Sequence, residues 1–307
     1  TTWGDGMGFD GGTTKISLGY SRVEGGKDSW TARDTYGSEN AERFATVGGK
    51  SYAILAIGST LYSFVSPGSD VTNLTISQLY KSSDGGHTWT ETPVVFRADT
   101  QDLSLPCFLQ FGKGYQGARD GYVYTYWTRV QSMVWEVQKP GEIILTRVPT
   151  GSIESQSQYQ YFAGADGSGS PAWSSNHSAA VPVFRDPNGV MRNSAIYNAG
   201  LRRYLLVTNH TARNQGNIGV FDAPEPWGPW TTAGYTTGWP AGGEVAKNTF
   251  YGNFSAKWMG ASGTDFVFVF TGKESNDSWN SVQGRFLTGP TGDTHAPARV
   301  DDLGVRP

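Results

Sequence analysis

A single cysteine, Cys107, stands in the 307 residues, so no intrachain disulfide can form; a lone thiol of this kind behaves as a small buried apolar group. No apolar stretch has the length of a membrane span, and no secretory leader is recognisable at the start. Basic runs are absent as well. With a net charge of -3 and an isoelectric point near 5.8, neither nucleic acid nor an anionic membrane surface is expected as a partner. Charged residues make up only 17% of the chain, and no helical-period run exceeds about two turns, which argues against a helical bundle. The four histidines (His87, His177, His210, His295) show no ligand spacing, so no transition-metal site is expected. No glycine motif follows a strand and opens a helix, so a phosphate cradle is not expected either.

What the chain does have is glycine, 41 residues of it, and a 13% share of aromatics. Tight turns run repeatedly into period-two apolar stretches: "VGGKSYAILAIG", "GARDGYVYTYW", "AGLRRYLLVTNH" and "GASGTDFVFVFTG". Each reads as the second strand of a repeated antiparallel sheet, starting at Tyr52, Tyr122, Tyr204 and Phe266, about 60 to 80 residues apart. "KISLGYSRV" adds a fifth unit near the start. The reading is an all-β, five-bladed β-propeller over residues 1–289, because radial repetition protects sheet edges and a sandwich would not give five similar units. Inner strands are expected in "RFATVGG", "GYQGARD", "NSAIYNAG" and "NFSAKWMG"; the first blade opens at "TTWGDG" and lacks an inner strand. Residues 290–307, charged and Pro-containing, read as a linker or tail toward a further module, and resemble the beginning of a fibronectin type III domain.

"SSDGGHTW" (82–89) has the S-x-D-x-G-x-T-W spacing of the Asp box of sialidase-like propellers, a self-contained turn between outer strands. Asp84 there accepts backbone N–H groups, Gly86 takes a positive φ and Trp89 packs beneath, a structural role on the face opposite the usual pocket.

Four further phrases, "FLQFGKGYQGARDGYVY", "YNAGLRRYLL", "DAPEPWGPW" and "FSAKWM", resemble a broad secreted β-propeller family, long catalogued as a domain of unknown function, whose distant members include bacterial endo-D-arabinanases. The resemblance runs to about Gly289. It implies carbohydrate chemistry carried by an acid pair in the first blade, one member of which maps to Asp5 in "WGD" with its partner upstream. Five N-x-S/T sequons, at Asn73, Asn176, Asn209, Asn253 and Asn276, accord with secretion and an extracellular setting.

Propeller geometry gathers the loops after each second strand, and those leading into each inner strand, on one face. The candidates read there are Asp5, Asp10 and Glu39 as acids; Lys113, Arg213 and Lys257 as cations; Asn193, Asn209 and His210 as hydrogen-bonding groups; and Tyr115, Trp127, Trp135 and Tyr251 as aromatic surface. Sugar rings need this mixture: a C–H face for stacking and hydroxyls for polar partners. Each residue has a plainer reading too. Asp5 and Asp10 lie among glycines and serve as turn residues equally well, Glu39 reads as a solvated charge, and His210 as a loop stabiliser. Three function classes follow. The first is a glycoside hydrolase with Asp5 and Glu39 or Asp10, or an upstream acid, as acid and base. The second is a polysaccharide lyase in which His210, Tyr115 or Tyr251 abstracts the proton beside a uronate carboxylate held by Lys113, Lys257 or Arg213. The third is a non-catalytic sugar-binding propeller. The expected partner is a polysaccharide or oligosaccharide bound by a monomer, with no cofactor, the central channel being where calcium could be held.

Overall fold

The computed structural model describes residues 2–6, 9, 16–34, 49–67, 75–237, 249, 251–272 and 278–288, with backbone alone at 2–6, 16–18 and 67. Among these residues the strands fall into five antiparallel groups. The first holds β1 (Thr2–Gly6), β2 (Ile16–Gly26) and β3 (Ser29–Asp34); the second β4 (Gly49–Ile57), β5 (Thr60–Pro67), β6 (Ile76–Ser82) and β7 (Thr90–Arg97). The third runs β8 (Leu103–Gln110), β9 (Tyr122–Arg129), β10 (Gly141–Pro149), β11 (Gln160–Ala165) and β12 (Pro171–Ser174), with β13 (Phe184–Asp186) paired to the start of β10. The fourth is β14 (Asn193–Asn198), β15 (Arg203–Asn209), β16 (Asn217–Ala223) and β17 (Thr231–Thr237); the fifth is β18 (Tyr251–Phe254), β19 (Asp265–Thr271) and β20 (Trp279–Arg285). β8 and β14 pair in parallel, Ala195 opposite Leu109, so the third and fourth groups meet at their first strands.

The groups close into a ring, as contacts on one face show. Gly58 N donates to Gly114 O at 3.0 Å, linking the second and third groups. The Arg119 guanidinium lies 5.2 Å from the Tyr197 ring centroid, linking third to fourth. Gly200 packs so closely on Ser262 and Gly263 that a Cβ would collide, linking fourth to fifth. Trp258 Nε1 donates to Gly25 O at 3.2 Å, linking fifth to first, and Tyr20 packs edge-on to Trp89 at 6.0 Å, linking first to second. The molecule is an all-β propeller.

Two expected strand assignments change, and a third is not fully covered by the described residues. "SYAILAI" is the inner strand β4, not a second strand, because Gly58, at φ 57, closes a two-residue hairpin into β5. "GYQGARD" is a loop: Gly112, Gly114 and Tyr115 at φ 85, 61 and 66 cannot continue a strand, and the inner strand is β8. "RFATVGG" lies largely outside the described residues. In the first group the β2–β3 hairpin sits on the same face as the first turns of the other groups, since Gly25 touches Trp258. β1 pairs with β2 through Gly6 opposite Ile16, so it runs toward the other face, opposite to an inner strand. β1, β2 and β3 thus match the second, third and fourth strands of the second group, and among the described residues the first group has no strand of inner polarity. β1 fills the place beside β4 instead. Residues from 290 onward lie outside the described residues.

Burial follows position in the blade. β9 is enclosed on both faces, whereas outer β7 alternates, with Thr92, Val94 and Phe96 inward and Glu91, Pro93 and Arg97 outward. Aromatic rings fill the seams: Phe64, Phe96, Phe108 and Trp127 between the second and third groups, and Phe254, Phe266 and Phe268 toward the fifth. The 82–89 turn is self-contained. Asp84 Oδ1 accepts from Ser82 Oγ and His87 N, Oδ2 accepts from Thr88 Oγ1 at 2.6 Å, and Trp89 Nε1 donates to Gly86 O. These donors hold the Asp84 carboxyl well below the usual range, Thr88 being the largest cause.

Candidate functional site

The face opposite the first turns carries the 130–140 and 210–216 loops, the 187–192 segment leading into β14, the starts of β4 and β18, and the Gly6 end of β1. Its centre is Arg192, the last residue before β14. The guanidinium stands 4.8 Å from the Trp135 ring centroid, and its charge reaches both Tyr52 on β4 and Tyr251 on β18. Trp135 packs on Tyr52 at 6.0 Å. Burial raises both phenols well above the ordinary tyrosine value; Arg192 opposes this, together with a hydrogen bond to Ser66 at Tyr52. A tyrosine so held keeps its proton at neutral pH.

The loop bearing Trp135 is shaped by one buried amide. Gln138 Oε1 accepts from the backbone N–H of Gln131 and of Ser132, each at 2.7 Å, and Nε2 donates to Glu136 O at 3.0 Å. Its backbone bridges to Val190, fixing the loop to the segment that ends in Arg192. From the neighbouring loop Arg213 Nη1 donates to Trp135 O at 3.3 Å.

Behind this mouth lies a polar knot. Asp186 Oδ2 accepts from Tyr235 OH at 2.8 Å, Asn188 Nδ2 donates to the same phenol oxygen, and the His210 ring stacks on Tyr235 at 3.9 Å. His210 is fully enclosed, with Nδ1 2.9 Å from Thr211 Oγ1 and Nε2 without a partner among the described atoms. Burial lowers its pKa below the usual imidazole value, opposed chiefly by Asp186. His210 therefore contributes stability that is complete above the unfolded value, about 6.5, and fades as pH falls through the lower folded value. Thermal unfolding between pH 7.5 and 5.0 checks this: the wild-type midpoint is expected to drop more steeply than that of His210→Gln, and parallel profiles would remove His210 as the cause.

The structure places the sequence candidates as follows. Trp135, Arg213, Tyr251, Asn193, Asn209 and His210 belong to this face. Of these, His210 is enclosed, and Asn193 is buried, donating to Leu105 O and Thr128 Oγ1. Asn209 is 5% exposed, which leaves no room for a glycan on its side chain. Asp5 sits in β1 opposite Ser17, one residue from the Gly6 end. Asp10 and Glu39 lie outside the described residues.

Four candidates are elsewhere, correcting the expected grouping. Lys113 and Tyr115 follow the inner strand instead of preceding it, and so lie on the opposite face; Tyr115 is buried with OH donating to Tyr122 O. Lys257, in the β18–β19 connection, donates to Val23 O at 2.9 Å on that opposite face. Trp127 is wholly enclosed in mid-strand, Nε1 donating to Thr146 Oγ1 at 2.9 Å. Sequence reasoning missed Arg192, Tyr52 and the Gln138 staple. The rule that selected Asn193, a polar residue leading into an inner strand, applies equally to its neighbour Arg192. Cys107 is buried, its thiol pushed up to about 12 by desolvation. The "GADGSGS" segment is an Asp166 turn accepting from Ser168 and Ser170, and among the described residues no cluster of three or more His, Cys, Asp or Glu could hold a metal. Nor is any helix among them long and apolar enough to cross a membrane.

Fold and face together define a β-propeller with an aromatic and cationic mouth at its axis. The chain belongs to the family described as Domain of unknown function (DUF4185), whose model matches residues 45–285. Similar solved structures include Zg3597, a family 117 glycoside hydrolase from the marine bacterium Zobellia galactanivorans (12% identity, TM-score 0.44, covering 76% of this chain and 65% of that one). The catalytic domain of the Coprinopsis cinerea GH62 alpha-L-arabinofuranosidase is 8% identical at TM-score 0.48, covering 91% and 89%. A Bacteroides ovatus protein is 15% identical at TM-score 0.45, covering 77% of this chain. The chain spans 57% of the Bacteroides protein's length and 65% of the Zobellia enzyme's. No curated protein matches it.

Proposed function

We propose that this propeller is a secreted glycoside hydrolase that cleaves a polysaccharide with carboxylate acid–base chemistry and no cofactor, Asp5 being one of the acids. The observation that carries the reading is the composition of one face: Trp135 offers a flat half-buried ring, Arg192 and Arg213 flank it, and Asp5 is one residue from the end of β1 that points to that face. The aromatic ring stacks on the C–H face of a sugar, the cations and amides take its hydroxyls, and a carboxyl group moves a proton to or from the glycosidic oxygen. Asp10 or Glu39 is the proposed partner acid. Hydrolysis with retention needs the two carboxyl groups about 5 Å apart, and inversion needs roughly 6.5 to 9.5 Å.

A lyase is less well supported. Its base would be His210 or a tyrosine, and here His210 is enclosed while Tyr251 holds its proton. Incubation with a polysaccharide panel tests the reading. New reducing ends without absorbance near 235 nm, roughly the unsaturated-uronate band, are the expected result; reducing ends with that absorbance mean a lyase, and binding without either means a sugar-binding propeller.

A further inference from the structure

The 130–140 and 210–216 loops enclose between them an open cavity of about 410 Å³, within the range of about 300 to 1,000 Å³ usual for small-ligand sites. Its wall includes Lys139, Arg213 and Glu136, with the polar groups of Gln131, Ser132 and Thr211 between them. Among the described residues none of these three charged side chains takes part in an ion pair, whereas cations elsewhere, such as Arg129 and Arg203, sit on carboxylates at 2.7 and 2.6 Å. The wall thus carries two cations against one carboxylate in a chain whose net charge is -3.

The wall is also preformed. The Gln138 amide fixes one loop, Thr211 N donates to Asn188 O at 2.9 Å to anchor the other, and Arg213 joins the two through Trp135 O. Loop backbone held in place before a ligand arrives lowers the ordering cost of binding. Trp135 links this cavity to Arg192: Arg213 on the cavity wall donates to its backbone O, and its ring centroid lies 4.8 Å from the Arg192 guanidinium.

We infer that this cavity is a subsite for an anionic sugar residue, one bearing a carboxylate or a sulfate, which Lys139 and Arg213 receive while Gln131, Ser132 and Thr211 take its hydroxyls. The inference rests on the carbohydrate reading above and narrows its substrate to acidic glycans. A bidentate guanidinium and a point-charge ammonium on one wall suit a planar carboxylate and a tetrahedral sulfate alike.

Titration calorimetry of the full chain with three oligosaccharides of matched length tests it: an oligogalacturonate, a sulfated galactan oligomer and a neutral galactan oligomer. At low salt at least one anionic ligand is expected to bind about 10-fold or more tightly than the neutral one, and the advantage to shrink at 0.5 M salt, roughly, as screening grows. Whichever anion wins identifies the group. Lys139→Gln is expected to weaken anionic binding about 10- to 100-fold and leave neutral binding unchanged, Arg213→Gln to weaken both, and Glu136→Gln to strengthen anionic binding. Lys139→Gln is the cleaner variant, since Arg213 also holds Trp135 O. Equal affinity for neutral and anionic ligands, or anionic affinity indifferent to Lys139→Gln, overturns the subsite. Cleavage of a neutral glycan without anion preference overturns it and leaves the hydrolase standing; anion-selective binding with no cleavage of any glycan supports the subsite and overturns the hydrolase.

Discussion

Asp5→Asn is expected to cut turnover of the cleaved glycan by about 100- to 10,000-fold while leaving its affinity within a few-fold, the range for losing a general acid or base. The expectation follows from position. β1 is laid beside β4 and runs away from the face of the first turns, so Asp5, one residue from its end, is delivered to the rim that also holds Tyr52, Arg192 and Trp135. Gly4 and Gly6 on either side add no side chain of their own beside it. Asparagine keeps the size and hydrogen-bonding reach of the side chain but cannot exchange a proton, so a drop in turnover with retained binding isolates the chemistry. Unchanged turnover would remove Asp5 from the mechanism, and a protein that no longer folds would reduce the residue to a structural role in β1.

The second large effect concerns stability. Trp127→Ala is expected to lower the unfolding free energy by about 3 to 5 kcal/mol, the usual cost of emptying a large aromatic site in a packed core. The ring has no solvent-exposed surface, stands 4.3 Å from Phe96 and 5.0 Å from Phe64, and its Nε1–H satisfies Thr146 Oγ1. Denaturant unfolding checks this alongside sugar affinity at a temperature where the variant is folded. Loss of stability with unchanged affinity is the expected pattern; unchanged stability with lost affinity would return Trp127 to the sugar-contact role that its sequence context implied.

That contrast shows where sequence reasoning reached and where it stopped. "GYVYTYWTR" alternates in a way that marks a strand, and β9 is that strand. A strand buried on both faces, however, has no solvent side, so alternation cannot tell which aromatic faces a ligand and which faces the next blade. Lys113 was placed by the same kind of local reading. Its segment looks like the approach to a strand, but the left-handed Gly114 and Tyr115 turn the chain on the far face, and the inner strand had already passed as "LSLPCFLQ". The 82–89 turn, by contrast, was readable locally, because the hydrogen bonds from Ser82 and Thr88 to Asp84 and from Trp89 to Gly86 lie within eight consecutive residues.

The sequence by itself determined the all-β class, the repeated units, the self-contained Asp84 turn and the aromatic composition from which the seams are packed, since period-two patterns, glycine turns and short-range hydrogen bonds are local properties of the chain. Only the tertiary structure decided which face each loop occupies, that Trp127 and His210 are enclosed, and that Arg192, Trp135 and Tyr251 share one mouth. Those facts depend on how inner strands are assigned and in which direction each runs. Taking the wrong strand as inner moves that blade's loops to the opposite face, and the pairing that fixes the assignment joins residues distant in the chain, such as Ala195 with Leu109.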